Sequence, residues 1–157
     1  MPLLYSLLCS KLHIDSTNPT KNEMKKLSPS QILMGHLEWS IHHLADALKR
    51  PATEYYQNAA LQRLSFTFEL TIKTICAYAK EQEKTISGGN EALKYAQECQ
   101  WIDEPSEWET ILVNVKLMND VKASTHTQYI YAELPRNHAM FETVFKHMQK
   151  TILPEND

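Results

Sequence analysis

The sequence predicts an all-α fold, an antiparallel up-and-down four-helix bundle with one short additional helix. Three observations carry that expectation: apolar residues return at steps of three and four in four long segments, few stretches alternate with period two, and only three glycines occur in 157 residues. Amphipathic helices bury their stripes against one another, and short connections make antiparallel neighbours the simplest solution.

Residues 1–27 read as a loosely attached extension, with Asn18-Pro19-Thr20 as a turn and Lys21, Lys25 and Lys26 as a small basic cluster. Residues 28–157 hold the bundle. Ser28-Pro29-Ser30-Gln31 is a capping-box sequence with Pro at the first helical position, so the first helix starts there. Its stripe is Leu33, Leu37, Ile41, Leu44 and Leu48, and Pro51 stops it. The second and central helix is expected from about Thr53 to Lys84, with Ser87-Gly88-Gly89-Asn90 marking its end. Glu91, Leu93, Ala96 and Cys99 suggest the short helix, and Trp101-Ile102 a connecting anchor. Asp103-Glu104-Pro105 opens the next helix, with the stripe Trp108, Leu112, Val115 and Met118. The pattern then breaks from Asp120 to Pro135, and Asn137 is expected to cap a last helix carrying Phe141, Val144, Phe145, Met148 and Ile152.

The central helix is the most informative stretch. Leu61, Leu64, Phe68, Ile72, Ile75 and Ala79 form its buried stripe, while Phe66, Leu70 and Ala77 widen the apolar surface and predict neighbours on more than one side. Arg63, Glu69 and Lys73 are charged exceptions that must be paired, snorkelled or placed at a partner surface. Glu69 and Lys73, four apart in the favourable order, fit an intrahelical ion pair. Arg63 fits an inter-helix groove near the loop before the last helix, where it would hold a phosphate or a partner carboxylate.

Ala60, Arg63, Phe66, Phe68, Glu69, Leu70 and Lys73 also carry a resemblance. The segment resembles the central helix of the nucleotidyltransferase substrate-binding family, a branch of the HEPN superfamily, whose members show Ala-x-x-Arg-Phe-Glu-aromatic and Glu-Leu-x-x-Lys on a helical bundle. Leu64 and Ser65 stand where Phe and Glu are usual, and Ile72 replaces a common Trp. The resemblance spans roughly residues 30 to 150, and this helix is its specific part. It implies a bundle that forms homodimers and pairs with a small nucleotidyltransferase protein.

Composition narrows the function classes. The 43% hydrophobic content suffices for one core, and a formal charge of −3 supplies no large positive field for bulk nucleic-acid binding. Cys9, Cys76 and Cys99 are too few and too scattered for a disulfide framework, which suggests a reducing compartment. No run approaches a membrane span and no secretory leader is recognisable, so the expectation is a soluble, cytoplasmic protein with no membrane contact. The glycines assemble no phosphate-cradling loop, and no cofactor is expected. His36, His42, His43 and Asp46 invite a metal reading, but no matching Glu-x-x-His occurs on a second helix, and exposed helix polarity is the simpler account.

Chemistry would sit between Met118 and Tyr129, where Asn119, Lys122, Ser124, Thr125, His126 and Tyr129 gather polar groups. In ribonucleases of the resembled superfamily an Arg is followed, after four to six residues, by a His. The pair suits RNA cleavage because His exchanges a proton with a ribose hydroxyl near neutral pH while Arg stabilises phosphorane charge. Here the positions five to seven before His126 are Val121, Asp120 and Asn119, and the arginines are Arg50, Arg63 and Arg136. Lys122 does not reproduce bidentate phosphate recognition.

The motif is therefore degenerate, and the expected function is a noncatalytic substrate-binding or regulatory partner of a minimal nucleotidyltransferase, in a toxin and antitoxin pair. Its binding residues would be Arg63, Glu69, Lys73, Asn119, Lys122, His126 and Tyr129, with nucleotide or RNA contact at the same loop. Two alternatives stay open: an endoribonuclease toxin in which His126 works with Arg63 or Lys122 across a dimer cleft, and a structural or adaptor bundle. Trp39, Trp101, Trp108, Tyr55 and Tyr56 read as packing, and any of them left exposed on one helix face would mark an association surface.

Overall fold

The computed structural model describes residues 25–119 and 126–154, and among these the chain is an all-α helical bundle without strands. The five helices among the described residues are α1 (Pro29–Leu48), α2 (Glu54–Glu81), α3 (Gly89–Glu98), α4 (Pro105–Met118) and α5 (Thr127–Ile152). Lys122, Ser124 and Thr125, and the extension up to residue 24, lie outside the described residues.

Helix α1 begins as its sequence dictates. Ser28 Oγ accepts from the Gln31 N–H, and Gln31 Oε1 accepts in return from the Ser28 N–H at 3.0 Å. The end of α2 reinforces this start: Glu81 accepts from the Ser30 N–H at 2.8 Å and from the Ser30 hydroxyl at 2.7 Å. Further along, the Ser40 and Thr67 hydroxyls lie 2.7 Å apart, both fully buried. Because Thr67 donates its only hydrogen to the Arg63 carbonyl, Ser40 is the donor of that contact. The two contacts pair the start of α1 with the end of α2 and the middle of α1 with the middle of α2, so the helices run antiparallel. Ser30, Ser40, Thr67, Thr71 and Thr74 are all small and fully buried. Side chains of that size let two backbones approach, and Thr71 and Thr74 satisfy their hydroxyls on the carbonyls of Thr67 and Leu70.

Two helix ends follow one design. After α2, Glu83 takes a positive φ of 60°, the Glu83 N–H reaches the Lys80 carbonyl, and the Lys84 N–H reaches the Ala79 carbonyl. After α3, Gln100 repeats φ 60°, with Gln100 bonding to Gln97 and Trp101 to Ala96. These are Schellman closures built without glycine. The second one turns Trp101 inward, where it is 2% exposed and donates to Thr151 Oγ1 at 3.1 Å. The anchor expected at Trp101-Ile102 is thus realised, and the end of α2 comes a few residues before the Gly88-Gly89 pair that the sequence suggested.

Helix α5 differs most from expectation. It starts at Thr127, ten residues before Asn137, and runs through Pro135. Asn137 is no cap: it lies inside the helix, 5% exposed, and its Nδ2 has no partner among the described residues. Ile130 and Leu134 are fully buried and extend the stripe of Phe141, Val144 and Met148 backwards. Their burial outweighs the missing N–H of Pro135, whose ring sits on the exposed side. On α4 the buried face is Trp108, Ile111, Asn114 and Val115, rotated slightly from the expected stripe, and Trp108 meets Phe141 edge to face at 5.4 Å.

Candidate functional site

The residues singled out in the sequence fall into two separate places. At one end of the bundle, His126 occupies the N-cap position of α5 in a helical conformation, exposed and without a side-chain capping bond. Tyr129, one turn in, is 60% exposed. Gln128 donates to Gln57 Oε1 at 3.3 Å, which sets the start of α5 beside the start of α2. Tyr55, on that first turn of α2, is 76% exposed and packs edge-on against Tyr56 at 5.2 Å. The end surface therefore presents two tyrosines, an imidazole and glutamine amides. Asn119 is exposed at the C-cap of α4.

Arg63 is elsewhere. It lies six residues beyond Gln57 on α2, about 9 Å along the axis and roughly 120° round it. Its guanidinium sits 6.0 Å from the centre of the Trp39 ring on α1. Trp39 in turn packs against His43, one turn further along α1, with ring centroids 3.8 Å apart and the planes tilted by 47°. No hydrogen bond or ion pair among the described residues links Arg63 to Asn119, His126 or Tyr129. The described residues thus hold this guanidinium beside Trp39, and residues 120–125 of the His126 loop lie outside them.

Glu69 and Lys73 are both exposed on α2, and the ion pair expected between them is not among those formed by the described residues. Phe66, expected to meet a neighbouring helix, is 45% exposed on the same side, and Trp39 is 53% exposed. The outer face of α1 and α2 therefore carries an exposed Trp and Phe with a half-buried Arg beside the Trp. The sequence held the signal in conditional form: Trp39 lies off the stripe Leu37, Ile41 and Leu44, so a stripe-facing core leaves it outside.

A shallow cleft of about 350 Å³ between the α3–α4 connection and α5 is lined by Trp101, Trp108, Asp103, Glu104, Glu107 and Arg136 among others, and an ion pair of Arg136 with Glu107 crosses it. Burial pushes the thiols of Cys76 and Cys99 up, the first aided by the Glu91 carboxylate, so neither is poised as a thiolate nucleophile. Burial and a hydrogen bond with Cys99 likewise raise the Tyr95 hydroxyl above its ordinary range. On α1, burial lifts the Glu38 carboxyl while His42 opposes the shift. Among the described residues, no three His, Cys, Asp or Glu side chains are grouped to hold a metal, and no helix is long and apolar enough to cross a membrane. No protein-family model matches the chain, and no curated protein matches it either.

Proposed function

We propose that this chain is a noncatalytic HEPN-type bundle that self-associates and serves as the substrate-binding or regulatory partner of a small nucleotidyltransferase, in a toxin and antitoxin pair within the cytoplasm. The observation that carries the reading is the end surface where α2 and α5 begin together. There Tyr55 and Tyr129 stand on the first turns of two long helices with His126 at the cap of the second, all three exposed and without a side-chain hydrogen bond among the described residues. Tyrosine supplies a large contact area at low conformational cost, which suits docking. The pattern from Ala60 to Lys73 on α2 supports the choice of partner class by resemblance. General acid–base cleavage of RNA needs an imidazole with a cation aimed at the same phosphate, and the Arg63 guanidinium lies over the Trp39 ring on α1.

The test is a calorimetric titration of the purified chain with a small nucleotidyltransferase encoded beside it. Tyr129→Ala and Tyr55→Ala should each weaken binding about tenfold, and His126→Ala by no more than about threefold. RNA cleavage by the wild-type chain that disappears in His126→Ala would overturn the noncatalytic reading in favour of an endoribonuclease.

A further inference from the structure

The outer face of α2 carries opposite charges at equal distances on either side of Phe66. Arg63 lies three residues before it and Glu69 three residues after it, with Phe66 exposed between them. In two antiparallel copies of a helix related by a twofold axis, residues equally distant from the axis sit at the same height on opposite chains. An axis passing at Phe66 brings Phe66 against Phe66 and places each Arg63 level with Glu69 of the other copy.

We propose that this face is where two copies of the chain meet, α2 against α2, with Trp39 of α1 flanking the centre. The inference rests on the self-association proposed above and names its surface. Both charges are available, since Arg63 and Glu69 form no ion pair among the described residues. The Trp39 ring holds the Arg63 guanidinium from one side without neutralising it. Trp and Arg are enriched among the residues that dominate interface energies, and Phe is enriched at interfaces generally. The outer face of the two helices is about 30 Å by roughly 20 Å, on the order of 600 Å² in outline, against the ~800 Å² of surface that each partner buries in a standard interface. A generic acidic or basic partner is a poorer fit, because the patch carries both signs in a mirrored order.

Charge reversal with rescue tests this directly. Sedimentation equilibrium on the full chain should find a dimer. Arg63→Glu or Glu69→Arg alone should weaken it about tenfold or more, since like charges then face each other twice. The double variant Arg63→Glu with Glu69→Arg should return to within about threefold of wild type, and raised salt should weaken the wild type. The two positions are six apart on one helix and do not touch within a chain, so rescue can arise only across copies. Phe66→Asp gives an independent disruption at an exposed site, with far-UV circular dichroism confirming that each variant is folded. A wild-type dimer indifferent to all these changes overturns the face while leaving self-association standing. A wild-type monomer at 100-fold dilution and at high concentration alike overturns both, and nucleotidyltransferase binding, measured separately, reports on the partner reading alone.

Discussion

Replacing Glu81 by Ala should destabilise the bundle by about 2 kcal/mol, although the residue is exposed and far from the core stripe. Three hydrogen bonds end on its carboxylate: from the Ser30 N–H at 2.8 Å, the Ser30 hydroxyl at 2.7 Å and the Ser28 hydroxyl at 3.2 Å. Ser30 is buried beneath this exposed carboxylate, so truncation exchanges charge-assisted hydrogen bonds for weaker ones to water, a loss of about 1–2 kcal/mol. The Ser30 hydroxyl keeps Ser28 Oγ, 3.2 Å away, and adds little. The first turn of α1 has no acidic residue of its own, so Glu81 also supplies the anion that the helix N-terminus favours, worth about 0.3–1 kcal/mol before salt screening. For a chain of this size the total corresponds to a fall in Tm of roughly 6–8 °C. Urea unfolding followed by far-UV circular dichroism measures it, with an unchanged m-value showing that stability alone moved. Glu81→Gln keeps an acceptor for the N–H and should lose only about half as much. A loss below about 0.5 kcal/mol for Glu81→Ala, with m unchanged, would refute the account of how α2 caps α1.

Other expectations come from the same structure. Thr67→Val keeps the shape between α1 and α2 but leaves the Arg63 carbonyl and Ser40 hydroxyl without Thr67 Oγ1; equilibrium unfolding should show a loss of about 1–3 kcal/mol, much of it recovered by adding Ser40→Ala. Glu83→Gly and Gln100→Gly should each stabilise by about 0.5–1 kcal/mol, because both positions have φ 60° and glycine adopts it freely; a decrease in Tm for either would contradict the Schellman assignment.

How much of this was legible in sequence depends on whether a local signal agreed with the burial around it. At Ser28-Pro29-Ser30-Gln31 the capping chemistry is wholly local, and α1 starts where those residues place it. Pro135 is the opposite case. A proline and a following Asn resemble a break and a cap, but Ile130 and Leu134 bury fully against the bundle, and tertiary packing overrides the local signal. The two left-handed helix ends were hidden because Glu83 and Gln100 are not the glycines that such closures usually announce. Trp39 and Phe66 could be read as apolar but not as outward-facing, since orientation depends on which neighbours the fold supplies. Arg63 shows the limit most clearly: its presence on an apolar helix signalled a role, while its partner, Trp39, sits on another helix and has no fixed sequence spacing to reveal it.

Native mass spectrometry of this chain co-expressed with a neighbouring small nucleotidyltransferase bears most directly on the central claim. The account predicts a stable mixed assembly holding two copies of this chain, which loses the nucleotidyltransferase in Tyr129→Ala but keeps it in His126→Ala. A chain that never retains the nucleotidyltransferase, and that instead cuts RNA by a His126-dependent reaction, would contradict it.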